Sequence, residues 1–444
     1  VGVRKPLQRN VAVEPLLFKI APFLKVLFAF AVMLAGMRFR VGLGLSIMTG
    51  GVILGLVFGM GPLPIVRAGA AALGQESFLF LAAIVGLILV LSDAMERSGQ
   101  STRLMEALSG HLTSPRLRLI FFPALIGLLP MPGGAVFSAP MVKTVSENMT
   151  IRNSDRAVLN YWFRHIWELC WPLYPGIILT VALADITLIE LISRTWPGTP
   201  IMLLAGWFFF LRPGVLGAKD IAMAGLPVAP GKRAALREGL PLLLAICGAI
   251  GLESAIAVFA PGIAFEWGVL AALAAAVACV MLQNTQLGLP FLRRVATKRS
   301  LWSMLFVVVS IFVFKDIMQA SGVVDEMSRV AGGEAALIAS ATFLPFLVGM
   351  VAGINVAFVG ATFPLLLGVL DTLGMHDQTI PYLVLATFCG FTGVMVSPIH
   401  ICFVLTCQYF GCELGRTWRK IFWPSMVFLL SGFGVFWFWL SVSA

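Results

Sequence analysis

The sequence predicts an all-α polytopic membrane protein made of two inverted repeats, with ten crossings and two re-entrant hairpins. Three observations lead there: apolar composition, an internal repeat, and opposite loop charge in its two copies. Of 444 residues, 59% are hydrophobic and only 12% charged, against about a quarter charged in a soluble chain. Apolar runs such as 41–60 and 421–442 approach the roughly 20 residues that span a bilayer core.

The elements follow in order along the chain. Runs 18–37 and 41–60 are separated by Arg38 and Arg40, and 77–94 ends in the charged Asp93–Arg97 stretch. The apolar segment 117–149 is interrupted by Pro130, Pro132, Gly133 and Gly134, so it reads as a paired element. Next come 157–186, broken at Pro172 and Pro175, and 197–212. A polar connector, 213–238, carries Lys219, Lys232, Arg233 and Arg237. Beyond it lie 239–259, 265–283, 301–318, a second paired element 335–370, an interrupted run 380–408, and 421–442. The domains are therefore a first repeat, 1–212, a cytoplasmic connector, 213–238, and a second repeat, 239–444.

The repeat rests on three anchors. "LSDAMERSG" (91–99) aligns with "FKDIMQASG" (314–322), Pro140 with Pro364, and "CWPLY" (170–174) with "VSPIH" (396–400), at offsets of 223, 224 and 226 residues. Such internal symmetry is the mark of many transporters. Charge sets its sense. Segment 96–118 carries four Arg against Glu96 and Glu106, whereas 319–341 carries Arg329 against Asp325, Glu326 and Glu334. Basic loops stay cytoplasmic, so equivalent loops fall on opposite sides, and each half crosses an odd number of times. Arg38 and Arg40, the connector, Arg293–Arg299 and Arg416–Lys420 lie inside, and both termini outside. Arg4, Lys5, Arg9, Lys19 and Lys25 would then sit near the outer face. An added interfacial helix, or the opposite placement of the N-terminal side, would accommodate them. Residues 1–20 lead straight into the first span, with no cleavable leader expected.

The net charge of +10 invites a nucleic-acid partner, but no basic helix or soluble domain carries one. Juxtamembrane Lys and Arg facing an anionic leaflet explain it, and the bilayer is the partner. The seven cysteines (170, 247, 279, 389, 402, 407, 412) form no CxxC pair. They read as small buried hydrophobes, with no disulfide frame and no metal set.

Non-helical backbone at membrane depth survives only where protein or a water-filled cavity satisfies it. Half-helix N-termini there hold anions, and freed carbonyls hold Na⁺. In "PMPGGAVFSAP", Pro130 and Pro132 end one limb, Gly133 and Gly134 allow reversal, and Ser138 with the following N–H groups would face a ligand. The partner tip, 349–364, offers Gly353, Asn355 and Thr362. The alternative is a pair of kinked spanning helices whose small residues ease packing. Within the first broken helix, Arg164, His165 and Glu168 fall on nearly one face, so Arg164 and Glu168 could pair at i, i+4. A charge inside a span costs about 2.5–3.5 kcal/mol on insertion scales, which calls for a partner or a function. Arg164 would bind a carboxylate or snorkel to the interface, Glu168 would carry a coupled proton, and His400 is the polar candidate of the second half. Asp93 and Asp316, at span ends, cap or pin the following helices.

Two motifs, "LLPMPGGAVFSAPMV" (128–142) and "NYWFRHIWELCWPLYPG" (160–176), resemble those of an uncharacterised family of prokaryotic integral membrane proteins grouped with the ion transporter superfamily of gluconate, citrate, dicarboxylate and arsenite permeases. The resemblance covers essentially the whole chain. It implies an elevator-type transporter, often a homodimer with a fixed scaffold. It places the site at 132–138, 353–355 and the breaks 171–176 and 393–400, adding Tyr174 and Ser397 to the substrate-binding set. Dicarboxylate members carry Ser-Asn-Thr at both hairpin tips. This chain has Gly-Gly with Ser138 at the first and Asn355 without adjacent Ser or Thr at the second, which puts Na⁺ coupling and a dicarboxylate cargo in question.

The expected function is secondary active transport of a small organic anion in the cell (inner) membrane, with no cofactor. The coupling ion would be H⁺ or Na⁺, carried by Glu168 and Asn355. A lipid or lipid-phosphate carrier is the alternative, and a channel ranks below it. An intramembrane enzyme would need a nucleophile or metal set, and no HExxH, GxSxG or paired-Asp motif occurs; no GxxxxGK[ST] loop for ATP occurs either, so energy would come from a gradient or a partner.

Overall fold

The computed structural model describes residues 13–109, 114–128, 134–147, 149–212, 232–331 and 334–443. Its α-helices, in chain order, are α1 (Val13–Arg38), α2 (Leu43–Val57), α3 (Pro62–Leu73), α4 (Glu76–Arg97), α5 (Gln100–Ser109), α6 (Pro115–Gly127), α7 (Ala135–Val145), α8 (Asn153–Arg164), α9 (Pro175–Ala184), α10 (Leu188–Thr195), α11 (Gly198–Gly206), α12 (Lys232–Phe259), α13 (Glu266–Gln283), α14 (Leu289–Ala296), α15 (Arg299–Ala320), α16 (Val323–Ala331), α17 (Glu334–Ala352), α18 (Asn355–Thr372), α19 (Thr379–Met395), α20 (Ile401–Phe410) and α21 (Leu414–Ser443). A π turn, Trp207–Leu211, prolongs α11, and no strand occurs among the described residues.

Each apolar run expected from the sequence contains helix among the described residues. Among the described residues, eight helices are long and apolar enough to cross a membrane, or nine if the bent pair Pro175–Ala184 and Leu188–Leu211 counts as one span. The chain is a multi-pass helical membrane protein. The expected count of ten differs because α2, with 15 residues, is too short to pass the span test and the runs 157–186 and 197–212 are divided into short helices, while α18 passes it. At 1.5 Å per residue, the 13 and 11 residues of α6 and α7 reach only about 20 and 17 Å, too short to cross. The 19 and 18 residues of α17 and α18 reach about 28 and 27 Å, so by length each could cross.

Short helices α3, α5, α10, α14 and α16 had no counterpart in the hydropathy reading. Local chemistry starts some of them: Pro62 stands at the first position of α3, and Thr187 with Glu190 forms a capping box on α10. Helix α12 begins at Lys232, so the end of the expected connector is helical. The rest of it, 213–231, lies outside the described residues, as do Pro130, Pro132 and Gly133 of the first tip and Arg4, Lys5 and Arg9.

Helix α19 contributes to two apolar cores, and every residue from Pro381 to Met395 is buried. One core joins it to α1, α2, α4, α12, α13, α15, α17 and α18, and the other to α6, α7, α8, α20 and α21. Glycine lets backbones touch along α17 and α19, since a Cβ on Gly349 would strike the Gly390 carbonyl and one on Gly393 the Phe346 carbonyl.

Helices α4 and α15 run antiparallel and are tied at both ends. Asp93, in the last turns of α4, bonds Lys298, the N-cap residue of α15. Asp316, in the last turns of α15, accepts from Gln75, the N-cap residue of α4, at 2.7 Å. Asp93 and Asp316 thus pin helices, but to each other's starts rather than to their own successors. Each helix also ends in Ser then Gly, and Gly99 and Gly322 share a φ of 71°.

Candidate functional site

The site forms where two helices stop. Helix α8 ends at Arg164 and turns carry the chain to α9 at Pro175, while α19 ends at Met395 and α20 begins at Ile401. Each stop exposes carbonyls that no longer have a partner within their helix. Aromatic donors reach such carbonyls at the end of α19 and at the end of α6, which packs against the first break. Trp167 Nε1 donates to the Ala124 carbonyl at 2.9 Å, Trp171 Nε1 to Leu128 at 2.8 Å, and the Tyr174 hydroxyl to Gly127 at 2.5 Å, all at the C-terminal end of α6. At the end of α19, the Tyr161 hydroxyl donates to Met395 at 3.0 Å and Trp418 Nε1 to Val396 at 2.7 Å. A Cβ on Gly127 would collide with the Arg164 carbonyl, so α6 and the first break touch backbone to backbone.

The helix starts are treated differently. The N-cap residues of α7, α9, α18 and α20 are Gly134, Tyr174, Ile354 and His400, and none gives a side-chain cap. The second tip meets both breaks. Gly353, with φ 69°, sits where a Cβ would be 3.0 Å from Ser397 Oγ and 3.2 Å from the His400 nitrogen, and a Cβ on Gly176 would be 3.2 Å from Asn355 Cβ. A left-handed residue this close to a neighbouring backbone has to be glycine. Carbonyls at the ends of α6 and α19 thus have donors while the helix starts lack side-chain caps, an arrangement that suits a negatively charged guest.

Polar side chains converge between the breaks. Asn355 Nδ2 donates to Glu168 Oε2 at 2.5 Å, and Glu168 Oε1 lies 3.5 Å from His165 Nε2. His165 Nδ1 is 2.6 Å from the Tyr161 carbonyl, and the His165 and His400 rings meet edge to face with centroids 4.8 Å apart. Arg164, at 3% exposure, is inside the protein and does not snorkel. Its charge acts on Glu168, His400 and Cys402. The buried Ser397 Oγ and His400 Nδ1, and Asn355 Oδ1, have no hydrogen-bond partner, which a buried polar atom seldom tolerates. The ligand atoms of His165, His400 and Cys402 all lie within 4.8 Å of one another.

The structure thus joins Arg164, His165, Glu168, Gly353, Asn355, Ser397 and His400. The one-face reading of 164–168 assumed a continuous helix; the helix stops at Arg164, and Glu168 reaches Asn355 and His165 across the turn. Tyr174 is close by as a carbonyl donor. Ser138 is buried and bonds the Ala135 carbonyl at 3.3 Å, beside Asn160, whose Nδ2 reaches that carbonyl and Thr406 Oγ1. Gly134 has an ordinary helical φ of −55°, and Pro132 and Gly133 lie outside the described residues. Thr362 stands apart: it donates to the Phe358 carbonyl of its own helix at 2.7 Å and lines an apolar cavity with Phe23, Val26 and Phe343.

Sequence reasoning missed several residues. Cys402 was grouped with six inert thiols, and Cys247 is in fact exposed. Tyr161 and Asn160 escaped notice, though an Asn in an apolar run is a visible signal. Glu253, fully buried in α12, accepts from the Leu188 amide at 2.9 Å and thereby caps α10. A lone carboxylate in an apolar helix could have marked it.

The model of a family described as proteins of unknown function, DUF401, matches residues 21–217 and 248–437. No curated protein matches the chain.

Proposed function

We propose, for a chain that belongs to the DUF401 family, secondary active transport of a small organic anion across the membrane. The observation that carries this reading is the buried meeting of two broken helices and a glycine-hinged tip, where carbonyls are sealed and Arg164, Asn355, Ser397 and His400 gather. Broken helices with half-helix N-termini are how transporters hold anionic groups at mid-membrane. Arg164 attracts the carboxylate, and the uncapped amides of α18 and α20 orient it. Glu168, held by Asn355, carries the coupled H⁺ or, with Asn355, binds Na⁺. The sealed carbonyls favour H⁺, because Na⁺ wants free carbonyl oxygens.

The mechanism proposed is alternating access of the elevator type. The hairpins and broken helices move together against a scaffold of 18–60, 197–212, 239–283 and 421–442, in a homodimer of the inner membrane with its basic loops cytoplasmic. An inverted duplication is supported by the ties between α4 and α15, which exchange under one offset of 223 residues. It is supported too by cross-packing, α7 against α20 and α18 against α9. Kinship with the gluconate, citrate and dicarboxylate permeases belongs to the same proposal. No catalytic step is assigned.

A second reading, a lipid-phosphate carrier, draws on the apolar cavity of about 310 Å³ between α1, α16, α17 and α18. Its hydroxyls, Ser340 and Thr362, are spent on their own helices, which leaves nothing there for a headgroup.

The test is a melting screen of purified protein against organic anions, each in Na⁺ or K⁺ at two pH values. A ligand of the native state raises the apparent melting temperature by mass action. One anion should stabilise the wild type and fail with Arg164→Ala or Glu168→Gln. A lipid phosphate that stabilises where every anion fails would overturn the reading.

A further inference from the structure

We propose that His165, His400 and Cys402 form a site for a borderline-soft transition-metal ion of the Zn²⁺ type, and that the bound ion clamps the two helix breaks together. The site goes beyond the transport reading and does not depend on it.

Two imidazoles and a thiol are donor types that such an ion takes in tetrahedral geometry, with the fourth position open to water. The three nitrogen and sulfur donors lie within 4.8 Å of one another and are all buried. No second group of this kind converges among the described residues. Bond lengths of about 2.0–2.3 Å put tetrahedral donors roughly 3.3–3.7 Å apart. The cluster therefore needs to contract by about 1 Å, within reach of side-chain torsions.

The protonation pattern also fits. The Tyr161 carbonyl can only accept, so at 2.6 Å it fixes the proton of a neutral His165 on Nδ1 and leaves the Nε2 lone pair facing Glu168 Oε1, 3.5 Å away. Metal-binding histidines are held this way, with the second ring nitrogen donating to a carbonyl. His400 Nδ1 is buried without a hydrogen-bond partner, a cost that coordination within this cluster removes. Cys402 is the buried thiol that shares this cluster with both imidazoles, and its sulfur is the soft donor such an ion takes.

His165 closes α8, whereas His400 and Cys402 open α20. One ion would therefore tie together segments more than 230 residues apart in sequence. Spacing rules search for ligands close together in the chain, which is why the cysteine pattern gave no hint of it.

The experiment uses full-length protein in detergent. Zinc content is measured on protein as purified from zinc-supplemented cells, and chelator-stripped protein is titrated with Co²⁺. The expected result is one equivalent of metal, with a near-ultraviolet thiolate-to-cobalt charge-transfer band and the strong visible absorption of tetrahedral Co²⁺, both erased by Zn²⁺. Cys402→Ser should abolish the charge-transfer band while keeping the wild-type elution profile. His400→Gln should weaken binding at least about tenfold, and Cys407→Ser should keep the band. Absence of both copurified zinc and a saturable cobalt signal in wild type would overturn the site, as would a band that survives in Cys402→Ser. The readout is optical, so a failure to find an anionic cargo leaves it untouched, and a missing band leaves the anion reading standing.

Discussion

Replacing Asn355 by alanine removes the donor that joins the second tip to the first break. The Asn355–Glu168 bond is 2.5 Å long, and the Glu168 side chain is 11% exposed, so water can replace little of it. A hydrogen bond to a charged group is worth about 1.5–3 kcal/mol. A cycle of Asn355→Ala, Glu168→Ala and the double variant should therefore show a coupling of about 1.5–3 kcal/mol, roughly 10- to 150-fold in the unfolding equilibrium constant. The assay is reversible unfolding of the solubilised protein in mixed micelles of rising denaturing-detergent content. Asn355→Asp should be worse than Asn355→Ala, because it sets a second carboxylate against Glu168. Single effects that add to within about 0.3–0.5 kcal/mol would refute the coupling, and with it the idea that the tip is held through Glu168.

Tyr174→Phe keeps the ring but strands the buried Gly127 carbonyl, at a cost of about 1–3 kcal/mol in the same unfolding assay; Tyr409→Phe, on a half-exposed side chain, should change nothing. Gly353→Ala forces a side chain onto a φ of 69° and against Ser397 and His400. The left-handed backbone alone costs about 1–2 kcal/mol, and the anion-dependent melting shift should vanish. Glu253→Gln retains an acceptor for the Leu188 amide and should stay within about 1 kcal/mol of wild type, whereas Glu253→Ala strands that amide and should lose about 1–3 kcal/mol; equal losses in the two variants would contradict the capping role.

Hydropathy made the long helices legible because each must shield its backbone alone. The two breaks were legible because Pro172 and Pro398 cannot continue a helix. Arg164, Glu168 and His400 stood out through the cost of polar groups in lipid. Their partners did not. Which residue Glu168 binds depends on how α18 packs against α9, and Asn355 lies 187 positions away. Counting Arg164 and Glu168 on one helical face failed because the helix ends between them. Thr362 was grouped with Asn355 by proximity in sequence, but seven residues of helix carry it to the far end of two turns. The aromatic seals were invisible for a related reason: a Trp in an apolar run reads as hydrophobic until its N–H meets a carbonyl.

The paired ends of α4 and α15 carry a historical consequence. When the residue at one position contacts a second position, and the equivalent of the second contacts the equivalent of the first, the interface has the self-complementary form of a two-fold dimer. Under the proposed inverted duplication, an ancestral half-length chain able to insert in both orientations would have met its own copy through this contact, its helix start against its partner's terminal aspartate. In the present chain one start residue is the charged Lys298 and the other the neutral Gln75. That difference makes the two ends unequal: one tie is an ion pair and the other a hydrogen bond from a neutral amide. A gene cut within the connector and expressed as two pieces should accordingly reassemble as a heterodimer held in part by both ties.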